Sequence, residues 1–347
     1  MVMSNYTGEG LLVIDGDWLA YMIACTAETK SVKIYDSESN FVKEYKNKTA
    51  YMKDTKNYNE SYTITPCQTL KPKYKSITSL IMNRVVNKAL TKTNCKDVLI
   101  ALGGPTNFRD RLPLPRAYKG SRANVERPLT LSLMRTLIDT KYPTIYSEDE
   151  EADDIISKYQ FQSFNNIQQY KNTFTNRVVV CTLDKDARGT PGLLYDPNKE
   201  VLTQIEGLGY LERKLSSNGK SRKLYGIGRK WFYSQLLTGD KADDYFPCDI
   251  YKTITNNTSN SPIITDLKCF NLLDPCTTDK ECLQVIKDTY YNWYKDVTEW
   301  TDFNGNTVQG NWLDILQMYV DVVHMRRFDN DKVNVKDLLL SLGIIDE

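Results

Sequence analysis

Ser147 to Ser157 reads SEDEEADDIIS, and in it Glu148, Asp149, Glu150, Glu151, Asp153 and Asp154 stand together with no lysine or arginine among them. Packed carboxylates repel. A fold keeps such a run for one of two reasons: it starts a solvated helix, where acids suit the positive end of the dipole, or it holds divalent cations that cancel the repulsion. The apolar strand expected at Tyr142 to Tyr146 and the pair Ile155 and Ile156 put Glu151, Asp153 and Asp154 at a strand-to-helix junction. Open α/β sheets place their active sites at such junctions. A helix starting near Glu150 makes Glu151 and Asp154 i,i+3 neighbours on one face, with Asp153 beside them.

Working outward, Leu11 to Ile14 is a buried-type strand ending in Asp15, followed by a helix from about Trp18 to Ala27. Helical spacing over Ile77 to Leu90 precedes a second buried strand, Asp97 to Leu102, and Leu129 to Thr140 is helical again. Arg177 to Thr182 is a further buried strand that runs into Leu183-Asp184-Lys185-Asp186. Strands alternating with helices imply parallel pairing. Asp15, the Glu151 group, and Asp184 with Asp186 then fall at the carboxyl ends of parallel strands and converge on one edge. D-x-D after a strand also presents two carboxylates to the same side. Beyond the helix Arg229 to Leu237, Asp240 and Asp243 form another acid pair spaced i,i+3.

Composition narrows the chemistry. A chain of 347 residues with 41% hydrophobic residues has ample core for one large α/β domain with additions, or for two domains. No apolar run approaches the roughly 20 residues of a membrane span, and MVMSNYTGEG lacks the layout of a signal peptide, so a cytoplasmic protein without membrane contact is expected. The eight cysteines include no C-x-x-C pair and the single histidine, His324, is expected inside an amphipathic helix. Zinc fingers and Ser-His-Asp catalysis are therefore set aside. Net charge is only +1, but Phe108 to Arg127 carries Arg109, Arg111, Arg116, Lys119, Arg122 and Arg127 against Asp110 and Glu126. Arg213 to Lys230 is basic with no acid at all. An acidic focus between two basic segments suits a metal site that meets a polyanion. Phe108 and Tyr118 add aromatic faces to the first segment; a solvated basic loop is the alternative reading.

Residues 31–74 are polar and expected to form an insertion, with a hairpin turning at Ser37 to Asn40. A basic hairpin is expected over Tyr210 to Tyr225, turning at Asn218-Gly219. Thr253 to Pro262 is a polar linker, which divides an α/β domain over 1–252 from a mostly helical region over 253–347.

LLVIDGDW, NFRD, RAYKGSR, EEADDII, VVVCTLDKD and LTGDKADD occur in that order. Together they resemble the structure-specific 5′ nucleases, the flap endonuclease superfamily that includes the 5′-nuclease domain of bacterial DNA polymerase I. The short phage 5′-to-3′ exonucleases are the most similar kind. The match runs from Leu11 to Asp244, and the helix near Gln317 to Phe328 is similar to their C-terminal region. The resemblance implies a PIN-like, mostly parallel sheet flanked by helices, two Mg²⁺ or Mn²⁺ ions, and hydrolysis of phosphodiesters at or near 5′ ends of duplex or flapped DNA, RNA-primed strands included. By position, Asp15, Glu151, Asp153, Asp184 and Asp186 would be metal ligands, with Asp154, Asp240 and Asp243 completing the site either on the ions or directly behind their ligands. Lys119 and Arg122 would steady the scissile phosphate and Tyr118 would stack on the terminal base. Two cations roughly 4 Å apart activate water and stabilise the leaving oxygen, which needs carboxylates and no histidine.

Two departures stand out. Where the family has an aspartate shortly before F-R, this chain reads Ala101-Leu102-Gly103-Gly104-Pro105-Thr106-Asn107, without an acid. Where the family has a Gly-rich helix-hairpin-helix, often with K⁺, this chain has Tyr245-Phe246-Pro247-Cys248-Asp249, so a K⁺ site is doubtful. Duplex contact is then expected from the basic hairpin and its exit, including Arg222, Lys223, Arg229 and Lys230, with amides near Gly226-Ile227-Gly228 meeting a phosphate; Arg109 and Arg116 would contribute from the first basic segment. The reading is a metal-dependent 5′-to-3′ exonuclease on DNA, phage-encoded, acting in an infected cell with replication proteins. The alternatives are a catalytically weak DNA-binding accessory factor and a PIN-type ribonuclease.

Overall fold

The computed structural model describes residues 10–169, 177–216, 219–255 and 262–346. Asn218 of the expected turn and 256–261 of the expected linker lie outside the described residues.

The chain opens with β1 (Leu11–Asp15), whose five residues are all buried, and passes directly into α1 (Gly16–Ala27). β2 (Glu28–Tyr35), β3 (Phe41–Tyr45), α2 (Lys48–Met52) and β4 (Thr63–Leu70) follow, then α3 (Tyr74–Thr93) and β5 (Asp97–Leu102). After two short 3-10 turns come α4 (Leu131–Lys141), β6 (Thr144–Tyr146), α5 (Ala152–Gln169) and β7 (Val178–Cys181). β8 (Gly192–Asp196) and β9 (Val201–Ile205) precede the hairpin of β10 (Tyr210–Leu215) and β11 (Arg222–Ile227). The rest is α6 (Arg229–Thr238), α7 (Asp249–Thr255), α8 (Asp266–Leu273), α9 (Asp279–Tyr294), the small hairpin β12 (Glu299–Thr301) and β13 (Thr307–Gln309), α10 (Trp312–Val323) and α11 (Val335–Ser341).

The chain divides into two compact units. The first comprises Met1–Asp15, Ala89–Val125 and Thr144–Glu347; the second comprises Gly16–Lys88 and Glu126–Pro143.

In the first unit six strands form one sheet in the order β6-β5-β1-β7-β8-β9, parallel throughout except for the antiparallel edge strand β9. The α/β, mostly parallel sheet is thus present. β1, β5 and β7 are short apolar runs because strands buried on both faces have no polar side to alternate with. Their register sets the site: Asp15 lies opposite Ala101, Ile14 opposite Cys181, and Leu102 opposite Tyr146. The segments leaving β1, β5, β6 and β7 therefore start from one edge. α5 packs on this sheet through Ile155 and Ile156, both buried with Val13, Ala101 and Val180. Each such isoleucine contributes on the order of 1.5–3 kcal/mol. α5 begins at Ala152 rather than Glu150, so Glu151 is the residue before its first turn.

A second core holds Leu236, Leu237, Ile250, Cys269, Ile286, Tyr290, Tyr294, Tyr319 and Leu339, with Leu114, Tyr118 and Leu211 joining it from earlier in the chain. Buried side chains on both sides of the expected linker thus share this core. α10 ends at Val323, which corrects the expected position of His324: it is the C-cap in extended backbone, and its ring meets the Asp331 carboxylate at 2.9 Å.

In the second unit β2 is the centre of a three-stranded antiparallel sheet, β3-β2-β4, over a small core of Val32, Ile34 and Tyr51. The turn expected at Ser37 to Asn40 is present. Asp36 Oδ1 accepts the backbone N–H groups of Glu38 and Asn40, the local bonding that makes aspartate a turn former. Arg135 of α4 pairs with Asp17 of α1. Among the described residues no helix is long and apolar enough to cross a membrane.

Candidate metal centre

Asp15 ends β1 almost fully buried, and Thr182, just past β7, donates its hydroxyl to Asp15 Oδ2 at 2.9 Å. The same Thr182 oxygen accepts the N–H of Asp184 at 2.9 Å, and Asp184 Oδ1 accepts the N–H of Asp186 at 2.8 Å. Two consecutive turns thus fold L-D-K-D back toward the strand end. The sequence signals Thr182 only as a hydroxyl residue at the exit of a buried strand.

Asp240 follows α6 across Gly239, whose φ of +69° lies in the left-handed region. A Cβ there would lie 2.4 Å from the Tyr245 carbonyl oxygen, so glycine is required. The tight loop bonds Asp240 and Tyr245 to each other through both backbone pairs. It carries Asp243 back toward Asp186, and one carboxylate oxygen each from Asp186, Asp240 and Asp243 lie within 4.8 Å of one another.

Burial and the charge of Asp184 push the Asp186 carboxyl up to about 8. Burial, then Asp184, Asp15 and Glu151, hold the Asp153 carboxyl well above its usual range. Burial also raises Asp243, only partly offset by Lys119. Asp15, Glu151, Asp153 and Asp184 therefore form one electrostatically joined group. Asp186, which also responds to Asp184, forms a second with Asp240 and Asp243.

Lys119, Arg122 and Lys185 lie against this charge. Lys119 has a left-handed backbone, φ +52°, and its Nζ pairs with Glu151 and lies 3.8 Å from Asp243. Burial works against the charge on Lys119, but Glu151 and Asp243 outweigh it and raise the amine above its usual range. Arg122 Nη2 donates to Asp243 Oδ1 at 2.8 Å, and Lys185 Nζ lies 2.9 Å from Asp240 Oδ2. Asp15, Glu151, Asp153, Asp184, Asp186, Asp240 and Asp243 are seven carboxylates, of which Glu151, Asp240 and Asp243 meet these cations, with Arg109 Nη1 also 3.8 Å from Glu151. An oxygen-only donor set of this kind, largely buried and mutually repelling, fits hard divalent cations such as Mg²⁺ or Mn²⁺.

Other residues expected at the site lie elsewhere. Asp154 is fully buried, but Arg109 Nη1 and Nη2 fork onto its two oxygens at 2.6 and 3.0 Å, and the Glu151 and Arg326 N–H groups also donate to it. Burial alone would raise this carboxyl; Arg109 overrides it and holds it below the usual range. Asp154 is thus engaged by Arg109 and by the Glu151 N–H, which leaves it, of its two expected places, the one behind the ligands. Arg109 is itself fully buried, donating further to the carbonyls of Val322 and His324 at 2.8 and 3.1 Å, so it offers no surface to DNA.

Tyr118 is buried, and its hydroxyl donates to Glu151 Oε2 at 3.0 Å; its ring is not exposed for a base to stack on. Lys230 is buried too, its Nζ donating to the Asp274 carbonyl at 2.8 Å. Arg229 is forked onto Asp279 and Arg116 pairs with Asp249 at 2.6 Å, both partly exposed. The amides expected to meet a phosphate are occupied: Gly228 and Lys230 N–H donate to the carbonyls of Arg188 and Leu208, both at 2.8 Å. Arg222 and Lys223 are exposed on β11.

The acid missing near Gly104 has a steric counterpart. The loop after β5 is bonded onto the acidic stretch, Gly104 N–H to Glu150 O at 3.4 Å, Phe108 N–H to Asp149 O at 3.2 Å, and Thr106 Oγ1 to Glu148 O at 2.6 Å. A Cβ on Gly104 would lie 1.9 Å from the Ser147 carbonyl oxygen. Gly104→Asp is therefore expected to destabilise the protein by about 1–3 kcal/mol through overpacking, read as a lower melting temperature, and to add no Mn²⁺ affinity. An unchanged melting temperature with tighter Mn²⁺ binding would contradict this.

No protein-family model matches the chain, and no curated protein matches it. Among solved structures the chain is similar to the bacteriophage T5 D15 protein co-crystallised with metal ions, at 11% identity and a TM-score of 0.46, covering 96% of this chain and 98% of that one. It is similar to T5 5′-exonuclease with bound zinc, at 13% identity and a TM-score of 0.43, covering 90% and 89%. A complex of T5 D15 flap endonuclease with DNA and metal ions is similar at 11% identity and a TM-score of 0.45, covering 96% and 99%. Likeness at this level carries no statement about chemistry, which rests on the carboxylates themselves.

Proposed function

We propose that the chain is a divalent-metal-dependent 5′ nuclease with a PIN-like fold, a 5′-to-3′ exonuclease that hydrolyses phosphodiester bonds of duplex DNA, including RNA-primed or flapped ends, in phage replication or recombination within the host cytoplasm. The observation that carries this reading is the gathering of Asp186, Asp240 and Asp243 within 4.8 Å of one another, with Asp15, Glu151 and Asp184 close enough to the buried Asp153 to hold its carboxyl well above the usual range. Asp186, Asp240 and Asp243 would hold one ion, and Asp15, Glu151, Asp153 and Asp184 another. When bound, the ions supply Lewis acidity toward water and toward the phosphate.

The chain's own groups do the rest. Tyr118 holds Glu151 by its hydroxyl and so orients it. Thr182 does the same for Asp15. Lys119 and Arg122, both facing Oδ1 of Asp243, are the donors to the oxygens of a phosphate, where charge grows during the displacement. Lys119→Ala is expected to lower the single-turnover cleavage rate roughly 10²–10³-fold while duplex affinity changes far less. An unaltered rate would remove Lys119 from this role.

The test of the function is digestion of a duplex labelled at its 5′ or its 3′ end, with Mg²⁺, with Mn²⁺ and with EDTA. Short products released from the 5′ end only, and absent in EDTA, support the reading. Position 104, where a Cβ has no room, favours one second reading: a catalytically weak DNA-binding accessory protein. Salt-sensitive duplex binding without cleavage by either metal would select it.

A further inference from the structure

The β10–β11 hairpin has two unlike faces. Leu211 is buried in the helical core, Leu224 packs against it, and the Leu224 N–H donates to Asp266 of α8 at 3.0 Å, so the inner face is fixed to the body of the first unit. On the outer face Lys214 lies directly opposite Lys223, two like charges side by side across an antiparallel pair. That arrangement is destabilising by itself. Beside it the ring of Tyr225 collects cations: Lys214 Nζ lies 3.6 Å, the Arg188 guanidinium 4.6 Å and Lys199 Nζ 6.0 Å from its centroid. Glu212 answers Lys214 at 2.7 Å and Asp196 answers Lys199 at 2.9 Å, whereas Arg188 and Lys223 have no ion-pair partner among the described residues.

We infer that this outer face is a binding surface for the phosphate backbone of duplex nucleic acid, centred on Tyr225 with Arg188, Lys199, Lys214 and Lys223. Placement argues for it as well as charge. Arg188 lies in the same short 3-10 turn, Asp186–Gly189, as Asp186 of the carboxylate cluster. Two residues of chain span about 7 Å at most, so a phosphate one or two nucleotides from one held at the cluster is within reach of Arg188. Cations gathered around an anchored, two-stranded ribbon suit a regular array of phosphates, whose counterion release rewards each neutralised charge. The surface is distinct from Arg229, Lys230 and the α6 amides, which are already engaged within the fold. The inference rests on the nuclease reading only for the choice of nucleic acid as the polyanion.

The experiment is fluorescence anisotropy of a labelled duplex oligonucleotide in EDTA, titrated between about 50 and 200 mM salt, with the intact chain and the Lys214→Glu/Lys223→Glu variant. The expected result is a tenfold or greater loss of affinity, and a plot of log K against log salt shallower by about two. Tyr225→Ala is expected to weaken binding a few-fold. If charge reversal unfolds the hairpin, as judged by circular dichroism, Lys214→Gln/Lys223→Gln removes the same charges without adding any and must show the same loss of slope. Unchanged affinity and slope in a folded variant, or duplex binding absent from the intact chain, would overturn the inference. Hairpin-dependent binding by a chain that cuts nothing with Mg²⁺ or Mn²⁺ would sink the nuclease reading and leave this one standing. Normal cleavage with hairpin-independent binding would do the opposite.

Discussion

Asp186→Asn is expected to lower metal-dependent cleavage by about 10³-fold or more while raising the melting temperature of the metal-free protein at pH 8. Both effects come from one cause. Asp186 is held among Asp184, Asp240 and Asp243, and its carboxyl is pushed from an ordinary 3.8 up to about 8. Because that value lies above the unfolded one, the folded chain binds this proton more tightly than the unfolded chain does. The contribution of this one group to metal-free stability is then full below about pH 4 and is lost progressively as the pH rises toward 8, on the order of a few kcal/mol for a shift of this size. Asparagine keeps the shape and removes the ionisation, so the variant's metal-free melting temperature should fall less between pH 5 and pH 8. Mn²⁺ should raise the melting temperature of the parent chain strongly and that of the variant weakly. Thermal melts across pH, with Mn²⁺ and with EDTA, check both limbs. A variant stabilised by Mn²⁺ as much as the parent would show that Asp186 does not hold the ion.

Arg109→Met is expected to destabilise the protein by about 3–5 kcal/mol, because it leaves Asp154 as an uncompensated charge with no access to water. In a chain of this size that corresponds to a fall in melting temperature of roughly 4–7 °C. The loss is larger than an ordinary truncation would cause, since Arg109 also satisfies the carbonyls of Val322 and His324 at the end of α10. Arg326 adds to the same junction: its backbone N–H donates to Asp154, its guanidinium to Glu150 at 2.8 Å, and its side chain lies over the Phe108 ring. The double change Arg109→Met with Asp154→Leu should recover much of the stability, because replacing a buried ion pair by apolar side chains is often neutral. A single variant that melts with the parent protein would show the pair to be dispensable.

What the residues determined alone is the edge of the sheet and the acids on it. LLVID, DVLIAL and VVVC are too uniformly apolar and too short to be anything but buried strands, and parallel strands deliver their carboxyl ends to one side. Asp15, Glu151, Asp153, Asp184 and Asp186 follow from chain order alone, and G-D-x-x-D signalled Asp240 and Asp243. Tertiary structure decided which charges remain available. Arg109 and Arg111 sit two residues apart in one 3-10 turn, yet Arg109 is sealed against Asp154 while Arg111 pairs with Asp149 at the surface. The difference comes from the carbonyls of Val322 and His324, more than two hundred residues away in sequence, which no local pattern encodes. Tyr118 and Lys230 turn inward for the same reason: a long side chain carries its polar tip wherever the packed chain supplies a partner, and that partner is known only once the distant elements have met.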